Sequence, residues 1–389
     1  MKSYNFDEII DRRGTHCIKV DLLEERFGQA DLMALWVADM DFRTPDFIVE
    51  ALKKRCAHEI FGYTFGSEAY YQSIIDWVSR KHGWELRREW LSYIPGIVKG
   101  IAFALDCFTQ PGDKVIIQPP VYHPFRMVPE MMRRQVVNNP LKLKNGVYQM
   151  DFEQLESVID EQCKVLILCS PHNPGGVVWE KETLARLADI CVRHKLLVIS
   201  DEIHAEMVFP PHTHHPFPSV SEAAASCSLT FMAPSKTFNI AGIVTSYALI
   251  PQAHIRQKFF SFLKARELDE GAIFSYEATI AAYTQGEEWL KQMLTYVRGN
   301  IDFVTDYLEA EIPAIRVYRP QASFLIWLDC RELGLPQQAL VALFKDKAGL
   351  ALNDGAMFGP GGEGYMRLNA GCPRALLKQA LDQLKKAME

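Results

Sequence analysis

Lys236 stands in Ala233-Pro234-Ser235-Lys236-Thr237-Phe238-Asn239, directly after the apolar run Ser228 to Met232. A lysine desolvated at the end of a buried strand has a lowered pKa and becomes a nucleophile toward an aldehyde. A lysine that snorkels its ammonium to water is the competing reading. A second run, Leu196 to Ser200, ends in Asp201-Glu202-Ile203-His204. An acid at a buried strand end needs a partner, and a pyridinium N–H is one; a helix cap is the plainer role. His204 is either a donor to an acidic oxygen or a satisfied core histidine. After Cys169-Ser170 comes Pro171-His172-Asn173-Pro174-Gly175-Gly176, a turn in which Asn173 adds an amide able to donate to an oxyanion. Pro95-Gly96-Ile97-Val98-Lys99-Gly100 opens a helical run to Phe108. Its free N–H groups would seat a phosphate. Tyr122, after the run Lys114 to Gln118, is either a ring-stacking residue or a core aromatic.

The elements that must position these residues alternate. Lys114 to Gln118, Lys164 to Ser170, Leu196 to Ser200, Ser228 to Met232 and Thr245 to Ile250 read as strands. Between them Lys181 to Lys195 carries Leu184, Leu187, Ala188 and Cys191 at helical spacing. Such alternation predicts an α/β chain around a largely parallel sheet with helices on both faces. Ligands of open α/β sheets bind at the carboxyl ends of the strands, where the residues above fall. The ends of the chain differ: Ile315 to Tyr318 and Phe324 to Leu328 read as strands and Pro373 to Met388 as a helix. The expected division is a large domain, 46–284, and a smaller α+β domain made of 1–45 with 285–389.

Bulk properties narrow the class. The chain has 389 residues, 48% hydrophobic, with a net charge of −6 and the two signs interspersed. No basic stripe suggests nucleic acid, and no apolar stretch approaches the about 18 residues that span a bilayer. The polar start, with Asp7, Glu8 and Asp11, does not read as a signal peptide. The nine cysteines are scattered without a Cys-x-x-Cys pair. They are expected to be reduced thiols of a cytoplasmic protein. His212, His214 and His215 lie close together but lack a neighbouring acid or thiol ligand, and no metal site is expected.

Seven motifs in this order resemble the class I/II aminotransferase-like superfamily, nearest to its cystathionine β-lyase and cystalysin-like C–S lyase branch. They are FDEIIDRRGTHCIKVD (6–21), LWVADMDFRTP (35–45), IFGYTFG (60–66), SPHNPGG (170–176), SDEIHAEM (200–207), APSKTFNIAG (233–242) and GYMRLNAGCPR (364–374). The resemblance implies a fold-type-I pyridoxal-phosphate-dependent transferase, its large domain built on a mostly parallel seven-stranded sheet. It also implies roles. Lys236 is the Schiff-base lysine, Asp201 the partner of the pyridine nitrogen and Tyr122 the ring-stacking tyrosine. Asn173 and His204 contact the cofactor. Ile97, Val98, Lys99 and Ser235 lie at its phosphate. Arg367 grips the substrate α-carboxylate, with Asn173 and the backbone of Val37 and Ala38 nearby. Tyr63 reaches the phosphate of a neighbouring subunit in a homodimer with shared active sites.

Two departures from the general aminotransferase pattern fit the C–S lyase branch. Val244 stands where many aminotransferases carry a phosphate-binding arginine, and His204 where they usually carry tyrosine. Ser323 occupies a position where glycine is often found. The expected reaction is β-elimination from cystathionine or a related cysteine thioether to pyruvate, ammonia and a thiol. In it Lys236 removes the Cα proton and Asp201 keeps the cofactor an electron sink. The alternatives are a transaminase, which shares the steps up to proton removal, and a protein that binds a transcription regulator and keeps lyase activity as a secondary property.

Overall fold

The structure, a computed structural model, describes residues 2–389. Seven strands form the central sheet: β1 (Leu91–Ile94), β2 (Lys114–Ile117), β3 (Gln135–Asn138), β4 (Cys163–Cys169), β5 (Leu197–Asp201), β6 (Ser228–Met232) and β7 (Ser246–Leu249). Their spatial order is β1-β7-β6-β5-β4-β2-β3. Only β7 runs against its neighbours. The strand β4 is almost continuously apolar because both faces are covered. Val165, Ile167 and Cys169 enter the apolar cluster on one face, while Leu166 and Leu168 enter the cluster on the other. On the first face lies helix α1 (Ile97–Phe108), which buries Ile97, Gly100, Ile101, Ala104 and Leu105 at a helical period. On the second lies α2 (Lys181–Arg193), through Leu184, Leu187, Ala188 and Cys191.

The sequence reading placed every one of these elements except β1 and β3, with ends shifted by a residue or a few. The strand β3 is polar at both ends, Gln135 and Asn138, because it is the sheet edge.

The C-terminal part carries an antiparallel sheet of β8 (Arg316–Val317), β9 (Leu325–Asp329), β10 (Asn353–Asp354) and β11 (Tyr365–Asn369), ordered β8-β9-β11-β10. A long helix, α3 (Glu287–Glu311), precedes it and α4 (Arg374–Met388) follows it. The N-terminal segment crosses to this part of the chain: Met33–Ala34 pairs in parallel with Leu350–Ala351, and the Asn369 N–H donates to Leu35 O. The largest apolar cluster runs from Phe6 through Trp77 and Phe238 to Leu384. No helix among the described residues is long and apolar enough to cross a membrane.

Candidate active site

The adjacent parallel strands β4, β5 and β6 release their loops side by side, and those loops carry Asn173, Asp201 and Lys236. They border a cleft of about 330 Å³, which Ala38, Ile97, Val98, Lys99, Tyr122, His204 and Ser235 also line. Of the residues given a site role by the resemblance, Val37, Arg367 and Tyr63 stand outside the cleft wall. Val37 is one residue from Ala38, and Arg367 is bonded to Asn173, which lines the cleft. Tyr63 is fully exposed in a segment whose Ile60, Phe61 and Phe65 are also exposed.

Burial sets the electrostatics of the cleft. It pushes the Lys236 ammonium down to about 8; the Asp39 carboxylate opposes that shift, Arg367 adds to it, and Asp201 opposes it. Burial raises Asp201 to about 7, against the pull of the Ile203 N–H, which donates to Oδ1 at 3.1 Å, and of Lys236. His204 is driven down to about 3 by burial and then by Lys236 and Arg367, so its imidazole is neutral, and its Nδ1 has no partner among the described residues. The Lys236 Nζ donates to Ala38 O at 2.6 Å.

Arg367 lies on the central strand β11 and is 3% exposed. Its Nη1 donates to Asn173 Oδ1 at 3.0 Å, and its Nη2 to Trp36 O at 3.0 Å and to Asn353 Oδ1 at 2.6 Å. Asn353 is its cross-strand neighbour on β10. The guanidinium lies over the Phe358 ring, 5.0 Å from the centroid. Its Nε has no partner, and it has no carboxylate partner among the described residues. Burial lowers its pKa to about 10.

Gly96, at φ +106°, turns the chain into α1 without any side-chain cap, which leaves the first N–H groups of a twelve-residue helix free at the cleft. Val244 faces the same cleft at φ +57°, a strained conformation for a β-branched residue, and its carbonyl accepts from the Tyr93 hydroxyl at 2.9 Å. Ser323 stands at φ +75°, which is why glycine suits that position.

Several contributors were not visible in the sequence. Asn239 bonds to Met40 through both N–H and carbonyl and donates to Phe42 O. Asn369 donates to the carbonyls of Val37 and Asp39. Beside Asp201, Glu202 is paired with His214 Nε2 at 2.8 Å and accepts from Ser200 and the Phe217 N–H. Beside Lys236, Thr237 donates to the buried Glu206 at 3.1 Å. The only hint was position: Asn239 shares the Lys236 motif, and Asn369 follows Arg367 by two residues, hence on the same face of its strand.

A family model for aminotransferase class I and II matches residues 30–384. The chain is 42% identical over 385 residues to the cystathionine beta-lyase PatB of Bacillus subtilis, covering 99% of this chain and 100% of that one. The crystal structure of cystalysin from Treponema denticola, which contains a pyridoxal 5'-phosphate cofactor, superposes with a TM-score of 0.96 at 34% identity, over 100% of this chain and 99% of that one. A C-S lyase from Staphylococcus hominis with the same cofactor bound gives 0.93 at 32% identity, over 99% and 98%. This chain, with the sheet and helices of the fold-type-I transferases, belongs to the class I and II aminotransferase family.

Proposed function

We propose that the protein is a pyridoxal-phosphate-dependent carbon–sulfur β-lyase that cleaves cystathionine or a related cysteine thioether. The observation that carries the reading is the buried Arg367, which among the described residues has no carboxylate partner and an unpartnered Nε, and which is bonded to Asn173, a residue lining the cleft that holds Lys236. A buried cation of this kind calls for an anion, and the planar α-carboxylate of an amino acid matches its fork.

The cleft also fits the cofactor. A carboxyl group raised to about 7 is suited to a protonated ring nitrogen, the neutral His204 and the Asn173 amide suit a phenolic oxygen, and Tyr122 borders the space a ring would take. The free N–H groups of Ile97, Val98 and Lys99, with Ser235, suit a phosphate. Val244 brings no charge there, and Tyr63 of a second subunit would add a donor. When bound, pyridoxal phosphate supplies an electron sink for the pair released at Cα.

The chain's own groups do the rest. Arg367 and Asn173 fix the carboxylate, which orients the Cα–H bond. Lys236, with a pKa near 8, is largely neutral just above that pH and accepts the Cα proton. The C–S bond then breaks with the electron pair leaving on sulfur, a good leaving group because a thiol has a pKa of about 8.5. The released 2-aminoacrylate hydrolyses to pyruvate and ammonia. The choice of a thioether rests on the similarity to a cystathionine beta-lyase over the whole chain.

Purified protein should be yellow, and borohydride should fix the cofactor on the peptide containing Lys236. It should convert L-cystathionine to pyruvate, ammonia and homocysteine without an added keto acid. Glutamate formed from 2-oxoglutarate far faster than pyruvate from any thioether would replace the lyase by a transaminase.

A further inference from the structure

The loop 36–42 has no regular structure, yet a row of its carbonyls is bonded by side chains from distant parts of the chain. Trp36 O accepts from Arg367 and Ala38 O from Lys236, while Met40 O and Phe42 O accept from Asn239. Asn369 holds the centre. Its Nδ2 donates to Val37 O and to Asp39 O, both at 2.6 Å, and its Oδ1 accepts from the Gly371 N–H at 2.7 Å. Its own N–H donates to Leu35 O. The residue is fully buried. One amide thus grips the carbonyls on either side of Ala38.

We infer that Asn369 is a positioning residue for the catalytic lysine: by holding Val37 O and Asp39 O it aims the intervening carbonyl, Ala38 O, at Lys236 Nζ and fixes where the free amine and its proton reside. The inference rests on the assignment of Lys236 as the cofactor lysine. An accepting carbonyl stabilises the ammonium more than the neutral amine, because the charged donor makes the stronger bond. It therefore favours the ammonium that Lys236 becomes on taking up a proton, against the burial that lowers its pKa. The other charged and titratable groups that face Lys236 are Asp39 from the same loop, Asp201 at the end of β5, His204 beyond it, and Arg367 on β11. The Asn369 side chain bonds only to main chain; one of those acceptors is Asp39 O, but the Asp39 carboxylate is held separately by Arg12 at 2.7 Å, and Asp201, His204 and Arg367 make no bond to the Asn369 side chain.

The test reads the lysine before any turnover. Full-length protein is stripped of cofactor with hydroxylamine, pyridoxal phosphate is added back, and the rate at which the yellow species forms is followed against pH. In the wild type the rate should rise as Lys236 loses its proton. In Asn369→Ala the midpoint should move down by about one pH unit, the size expected when a hydrogen bond to a charged group is lost. Titrations of the phosphate and of Asp201 are common to both proteins and do not shift the difference. Asn369→Ser keeps a hydroxyl to accept from Gly371 but cannot span both carbonyls; it should shift the midpoint in the same direction and carries the test if the alanine variant does not fold. A folded variant with the wild-type midpoint overturns the inference and leaves the proposed function intact. Wild-type protein that forms no yellow species, or Lys236→Ala that forms as much, overturns the proposed function instead.

Discussion

Asp201 pays for its place with stability, and the sign of that effect is testable. Its folded pKa is raised to about 7, so the folded chain binds this proton more tightly than the unfolded chain does. The resulting penalty is absent below the ordinary carboxylate range, grows as pH rises, and is complete above about 7. Lys236 behaves oppositely: lowered to about 8, it weighs on the fold below that pH and is relieved as pH rises toward its ordinary value. Cofactor-free Asp201→Asn should therefore melt higher than the cofactor-free wild type near pH 8, by at most about 4 kcal/mol. The gap should narrow as pH falls and close only near pH 3.5, below the ordinary carboxylate value, and the variant should retain cofactor poorly. A calorimetric scan at the two pH values decides, and no gain near pH 8 would remove the buried charge from the account.

Arg367 gives the second residue-scale expectation. Arg367→Ala removes the cation and leaves Asn173 Oδ1 and Asn353 Oδ1 without their donor. We expect kcat/KM to fall about a hundredfold or more, in the range for truncating a buried charged anchor, with the yellow colour kept. Steady-state kinetics with an unchanged kcat/KM would place the carboxylate elsewhere. Asp201 was legible in the sequence because an acid at the end of an apolar run is conspicuous, whereas Arg367 was legible only through the resemblance of its motif. Asn369, Asn239 and Asn353 were not, since their bonds run to main chain or side chains remote in sequence and no residue pattern announces them.

At the level of elements, close approach of helix to sheet sets the cleft. A Cβ on Gly100 would lie 2.6 Å from Ile94 Cδ1 and 3.0 Å from the Phe231 ring, so α1 rests directly on β1 and β6. Gly100→Ala should push the first turn of α1 outward, and with it the N–H groups of Val98 and Lys99. We expect a loss of about 1–3 kcal/mol in urea unfolding, as for other overpacked sites, together with faster loss of cofactor on dialysis. Unchanged retention would mean that the phosphate is held by other groups. The strands β4, β5 and β6 were legible because burial on both faces makes them apolar runs bounded by turns. The helices Asp46–Cys56, Glu68–His82 and Ile273–Gln285 were passed over. The last of these buries small residues such as Ser275, Ala278 and Ala282 alongside Tyr276 and Tyr283, which blurs any apolar stripe. The loop 36–42 was legible only as a motif of the resemblance and not as an element, since its order comes from side chains remote in sequence, those of Arg12, Lys19, Lys236, Asn239, Arg367 and Asn369.

At the scale of the whole molecule, we propose that 46–284 and 1–45 with 285–389 act as two domains about the cleft, and that the working unit is a homodimer. The motif around Tyr63 made the second proposal legible, but only through resemblance; the structure adds the exposed apolar residues Ile60, Phe61, Tyr63 and Phe65 in one short segment. Exposed apolar residues so concentrated call for cover. Val244 leaves the phosphate without a cation at that position, so a donor from outside the subunit has a purpose. Tyr63→Phe keeps the apolar surface and removes only the hydroxyl. It should weaken cofactor retention by roughly 1.5–3 kcal/mol, the range for a hydrogen bond to a charged acceptor. Mixing this variant with Lys236→Ala separates the two arrangements. In a hybrid dimer the surviving Lys236 belongs to the Tyr63→Phe chain. If Tyr63 acts across the interface, that site receives an intact hydroxyl from its partner and should hold cofactor as the wild type does. If Tyr63 serves its own chain, the same site stays defective, and the hybrids should lose cofactor as readily as the Tyr63→Phe protein alone.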